Sequence, residues 1–187
     1  MKRIILASSS PNRKKILTDV GIDFEIDPSN YEEDMTLPMY PHDLVMHLSH
    51  GKAADVAARH TGGLILGADS IVVYGDQRLG KPYTSERAIE MLKMLSGKQH
   101  QVVTGFTLID LDNDKTISKA VSTEVFFKDL SDQEIEEYVA TGEPLEKAGA
   151  YAIQQNGKKF VDKIEGSETN IAGLPVEELM KTLKEFN

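Results

Sequence analysis

The sequence predicts a single α/β unit with mixed strand order. Short, fully apolar runs such as Leu64-Ile65-Leu66 have the character of strands buried inside a parallel or mixed sheet. Between such runs lie segments whose apolar residues recur at helical spacing. Strand-turn-strand patterns, clearest around "DNDK", add hairpins to the same chain. No repeat, low-complexity tract or linker breaks the 187 residues, enough for one good-sized domain or two packed lobes.

In chain order, residues 3–7 read as a strand. A helix is expected over residues 11–20, with Ser10 as N-cap, Pro11 at the first helical position and Gly21 closing it. Residues 23–27 form a second short strand, and residues 28–41 a loop rich in Pro, Asp and Glu. Leu44, Val45, Leu48, Ala53 and Val56 mark a helix over residues 42–60, stopped by Thr61-Gly62-Gly63. Residues 64–67 are an apolar strand, and "IVVYGDQRLG" a hairpin turning at Gly75-Asp76. A helix over residues 85–95 points Ala88, Met91, Leu92 and Leu95 inward. Strands over residues 101–111 and 116–127 precede an acidic helix from Leu130-Ser131 to about residue 140. A strand pair is expected over residues 148–153 and 159–164 around Asn156-Gly157, and Pro175 opens a C-terminal helix.

Composition narrows the function. With 21 basic and 30 acidic side chains the net charge is −9, which argues against a duplex-binding face. Only 6% aromatic residues leave few stacking platforms for single strands, so no nucleic-acid partner is expected. No stretch approaches the roughly 20 apolar residues of a membrane span, and the opening lacks the length of a signal peptide. No membrane partner and a cytoplasmic location are the expectation. Zero cysteines exclude disulfides and thiolate metal sites.

Against this acidic background "ASSSPNRKK" sets three cations near a helix N-terminus, where the dipole disfavours them. An anion held there by free N–H groups, Arg13, Ser8 and Ser10 explains the cluster. "LILGADS" delivers Asp69 at the end of an apolar strand, beside small Gly67 and Ala68, where it can hold a divalent metal or accept a proton from water. "LGKP" holds Lys81 extended before a proline, and "YEED" offers Glu33 as a second carboxylate. Each has a plain structural alternative: a capped helix with cations in water, an Asp-Ser turn, a surface lysine, a solvated loop. His47 and His50, without an HExxH pattern, read as structural or exposed. Together the scattered cations and carboxylates are equipment for polyphosphate plus metal.

"LASSSPNRKKIL", "LGADSIVV", "LGKP", "LSGKQHQVVTG", "EPLEKAGAYAIQ" and "GLPVEEL" stand in an order and spacing that resemble the Maf family of nucleoside triphosphate pyrophosphatases. The resemblance implies one Maf-like domain over residues 1–187 with the fold of inosine-triphosphate pyrophosphatases, a long mixed sheet flanked by helices with two lobes around a cleft. It implies hydrolysis of a nucleoside triphosphate to monophosphate and pyrophosphate with Mg²⁺ or Mn²⁺, and a homodimer. Carried onto this chain, Ser8, Ser10 and Arg13 bind phosphates, and Lys52 and Lys81 offset charge on the triphosphate. Glu33 and Asp69 serve the metal, and Asp69 is the proton acceptor for the attacking water. "EKAGAYAIQ" resembles the branch acting on dTTP and UTP, whose specificity positions here are Asn12, Ser70 and Gln154. Asn12 stands where that branch usually has Arg. The resemblance also leaves open a nucleotide-binding regulator of septum formation.

Overall fold

The computed structural model describes residues 2–186, and its chain divides into two compact units. The first comprises Met1–Asp69, Thr104–Val121 and Gly173–Asn187, and the second Ser70–Val103 and Ser122–Ala172.

The first unit begins with β1 (Ile4–Leu6), α1 (Pro11–Asp19), β2 (Phe24–Ile26), α2 (Pro41–Ala57) and the opening residues of β3 (Leu64–Tyr74). Strand β1 pairs in parallel with both β2 and β3, setting Ile4, Ile5 and Leu6 opposite Leu64, Ile65 and Leu66. All six of these side chains are buried, as a parallel sheet covered on both faces requires. Ile5, Ala7, Ala53, Val56 and Ile65 form a core cluster under α2.

Two glycines set the height of α2. A Cβ on Gly67 of β3 would collide with the Ser49 carbonyl and stand 2.8 Å from the Ala53 nitrogen. One on Gly105 of β5 (Gln99–Asp110) would stand 2.5 Å from the Val45 carbonyl oxygen. The helix therefore rests main chain to main chain on these strands. A hydroxyl chain completes the seat, with Ser49 Oγ 2.8 Å from Thr107 Oγ1 and Thr107 Oγ1 2.8 Å from Ser118 Oγ.

The second unit holds the rest of β3, then β4 (Gln77–Leu79), α3 (Ser85–Leu95), α4 (Asp132–Ala140), β7 (Val161–Glu165) and α5 (Glu168–Ile171). Strand β6 (Lys115–Phe127) contributes to both units, and α6 (Val176–Leu183) closes the first. The sheet has seven strands in the order β2-β1-β3-β5-β6-β7, with β4 paired to β3. The β1 pairings are parallel and the β3–β4 and β6–β7 pairings antiparallel, so the sheet is mixed, as expected. Helix α3 buries Ala88, Met91, Leu92 and Leu95. Helix α4 opens with a reciprocal capping box between Ser131 and Glu134.

Three expectations need correction. Asp69 does not end a strand, because β3 runs unbroken through it to Tyr74. What ends near it is the neighbour β1, whose last paired residue, Leu6, lies opposite Leu66. Residues 148–153 are not a strand either. Gly149 and Ala150 both have left-handed backbone, at φ 67° and 61°, and residues 150–153 are all buried, without the alternation of a strand. Tyr138 and Glu143 hold this stretch instead: the Ala152 N–H donates to Tyr138 Oη, which donates to Glu143. Asn156-Gly157 opens a 3₁₀ turn (Asn156–Phe160), and β7 pairs with β6. Lastly, Pro175 is the N-cap of α6, one residue before the helix that it was expected to begin.

Candidate active site

Strand period two places Asp69 on the same face of β3 as Gly67, the face on which α2 rests. Lys52 of α2 therefore meets Asp69 directly, with Nζ 2.5 Å from Oδ1. The same ammonium lies 2.7 Å from Glu33 Oε1 and 3.5 Å from the Ala68 carbonyl oxygen. Its three N–H donors thus have three acceptors, two of them carboxylates. Burial pushes the Asp69 carboxyl above the ordinary carboxylate range, Lys52 pulls it back, and the charge of Glu33 pushes it up again. Asp69 Oδ2 is buried without a hydrogen-bond partner.

The opening loop supplies the neighbouring cation. Ser10 is the N-cap of α1, as expected, yet its side chain makes no capping bond. Ser8 takes the local role, its Oγ accepting from the Ser10 N–H at 3.2 Å and from Arg13 Nη1 at 3.1 Å. With both acceptor sites used, the Ser8 hydroxyl keeps its own proton as a donor. Arg13 also donates from Nε to the Gly173 carbonyl at 2.9 Å. Burial pushes its guanidinium down, while the charges of Asp69 and Glu33 hold it up. The first intrahelical bond of α1 runs from Lys14 N–H to the Ser10 carbonyl, so the N–H groups of Asn12 and Arg13 precede the ladder. Lys15 does not join the cluster; it pairs with Asp19 one turn along.

Ser8, Arg13, Glu33, Lys52 and Asp69 are thus brought together in the first unit, with Ser10 and Asn12 at the start of α1. Ser70, Lys81 and Gln154 belong to the second unit, where Lys81 faces Glu146 at 3.7 Å and Gln154 is exposed. His47 and His50 are exposed on α2. The carbonyls of Ala68 and Gly173 were not legible in the sequence, because a main-chain acceptor carries no residue-type signal. The seating of α2 had one: glycines inside two apolar strands, which mark close backbone approach.

No group of three or more His, Asp or Glu side chains arranged for a metal occurs among the described residues. The pair Glu33 and Asp69 nonetheless fits a hard divalent cation. Both offer oxygen ligands, and Oδ2 of Asp69 is a buried acceptor without a donor. Mg²⁺ typically takes only one or two carboxylates and completes its shell with phosphate oxygens and water.

Comparison with known proteins identifies the family. The family model described as Maf-like protein matches residues 3–186. The dTTP/UTP pyrophosphatase of Methanosarcina mazei is 46% identical over 187 residues, covering 100% of this chain and 95% of that protein. The enzyme of the same name from Bacillus cereus is also 46% identical, covering 100% of this chain and 91% of its own length. The Ham1 protein of Staphylococcus aureus superposes with a TM-score of 0.52 at 15% identity, each chain covered over 100%, which shows a shared fold. On the family match and these full-length identities, the chain belongs to the Maf family.

Proposed function

We propose that the protein is a metal-dependent pyrophosphatase that hydrolyses dTTP and UTP to the monophosphate and pyrophosphate. The observation that carries this reading is the Glu33–Lys52–Asp69 bridge beside Arg13 and Ser8, in a chain 46% identical to dTTP/UTP pyrophosphatases over its whole length. The Ser8 hydroxyl, the remaining N–H groups of Arg13 and the N–H groups of Asn12 and Arg13 at the start of α1 bind phosphate oxygens. Asp69, made more basic by burial, takes the proton of the attacking water as its oxygen bonds to phosphorus and the bridging P–O bond breaks. Lys52 holds the two carboxylates side by side and limits their repulsion. Glu33 and Asp69 would hold Mg²⁺ or Mn²⁺, which supplies Lewis-acid polarisation of phosphate oxygens.

Lys81 is read as a further cation for the triphosphate, and Asn12, Ser70 and Gln154 as the positions that select the base. These assignments, the treatment of residues 1–187 as one Maf-like domain, the cytoplasmic setting and the homodimer rest on the family resemblance. Pyrophosphate release over a panel of canonical and modified nucleoside triphosphates, with Mg²⁺ or Mn²⁺, tests the proposal. Turnover led by dTTP and UTP is expected, and no turnover of any triphosphate would overturn it. A different leading base would retain the reaction and reject the substrate assignment, with Asn12 the first position to change.

A further inference from the structure

Residues 27–33 run antiparallel to α2 and the turn that follows it, and the contacts of Ser29 and Tyr31 fall on a single row of that helix, with Asp27 held beyond its end by Arg59 and His60. Asp27 accepts from Arg59 Nη2 at 2.9 Å. Ser29 Oγ and the Asn30 N–H both donate to Asp55 Oδ2, at 3.0 and 2.9 Å. Tyr31 lays its ring over Gly51 and brings its hydroxyl to 3.4 Å from His47 Nε2. Positions 55, 51 and 47 of α2 are four apart, one ridge of an α-helix with a repeat of about 6 Å, and Arg59 stands four further on, in the turn beyond Ala57. Segment positions 27, 29 and 31 are two apart, about 6.6 Å when extended. Two near-equal repeats keep residues 27 to 31 in step with the helix, and Glu33, two residues beyond Tyr31, leaves the row to reach Lys52, the residue next to Gly51.

Gly51 is the least expected member of this row. Glycine inside a helix costs roughly 0.5–1 kcal/mol relative to alanine. Here a Cβ would stand 2.5 Å from Cε2 and 2.7 Å from Cε1 of Tyr31, and closer still to Cζ. The aromatic ring occupies the place of the missing side chain. We infer that Gly51 and Tyr31 form a register lock that sets Glu33 on Lys52, which makes both positioning residues for the reaction proposed above. That role rests on the proposed reaction, whereas the lock itself is a property of the first unit.

Gly51→Ala separates positioning from folding, because alanine is the better helix former. The expected variant has an unchanged or higher melting temperature, faster amide hydrogen exchange over residues 29–34, and a kcat/KM lowered about 10- to 100-fold. A higher metal concentration for half-maximal rate is expected with it. In a Glu33→Gln background the same change should cost no further rate, since there is no carboxylate left to place. Tyr31→Ala, which leaves the helix untouched, should show the same losses. Unchanged exchange and unchanged rate in both variants would overturn the lock, and equal losses with and without Glu33 would overturn its link to that carboxylate. If the wild-type chain hydrolyses no triphosphate, the reaction and the positioning role fall together, and the exchange data still decide whether the lock exists.

Discussion

Asp69 illustrates how one residue can be set against stability. Burial raises its folded-state pKa above the ordinary carboxylate value, so the fold prefers the protonated form. Its favourable contribution is present only at low pH and is lost as pH rises through the raised value. Once ionised, the side chain therefore weakens the fold relative to its protonated form. Asp69→Asn is expected to lower turnover by about 10²–10⁴-fold while leaving the melting temperature equal to or above wild type; a clear drop in melting temperature would contradict this. His100 works in the other direction. Packed edge-on against Phe127 and Tyr151, with Nε2 2.9 Å from Tyr151 Oη, it is pushed down by burial from 6.5 to about 4. Between those values the unfolded chain takes a proton that the fold refuses, so stability is full above 6.5 and falls as the solution is acidified towards 4. The loss is on the order of 3 kcal/mol. His100→Gln should flatten that acid limb in denaturant titrations across the range, and an unaltered limb would exclude His100 as its source.

At the scale of the element, the seat of α2 decides where the site is. Gly67→Ala is expected to cost about 1–3 kcal/mol by overpacking and to lower the rate as well, because the helix that moves carries Lys52. Thermal unfolding and steady-state rates measure the two losses, and a variant with wild-type rates would mean that Lys52 and Asp69 do not depend on the seat. The elements that were readable in advance are those specified locally. Helix α3 carries its own apolar spacing and a Thr84 cap, and α4 its capping box, so both were legible. Residues 148–153 were not, because side chains of the preceding elements, Tyr138 and Glu143, decide their path. The site was half legible for the same reason. Asp69, Arg13 and Glu33 stood out in local motifs, whereas Lys52 came only through the family resemblance and acquires its place from a glycine on another element. Tyr31 and Gly51 left one readable trace, a glycine in mid-helix, which residue spacing alone could not connect to a carboxylate.

For the molecule as a whole, the net charge of −9 opposes a polyanionic substrate, while in the proposed reaction Arg13 and the start of α1 attract it locally. The two fields differ in reach. The Debye length falls from about 30 Å at 0.01 M to about 8 Å at 0.15 M salt, so distant repulsion is screened before local attraction. Raising ionic strength over that range at saturating metal is expected to increase kcat/KM for the triphosphate, with kcat little changed. A steep fall would show that the local cations govern the encounter even at long range. No helix among the described residues is long and apolar enough to cross a membrane.

The segment from Asp27 to Glu33 would be classed by its lack of regular structure as a place where insertions are harmless. Its pairing with α2 makes it count residues instead. Removing Asn30 would turn the far end of the segment over, presenting Asp34 where Glu33 now stands, with a shorter arm and one residue out of phase. Substitutions at exposed Glu32 change a side chain without changing the count. Among relatives of this chain, length over these seven positions should then be held more strictly than identity, which is the reverse of the usual behaviour of a surface loop.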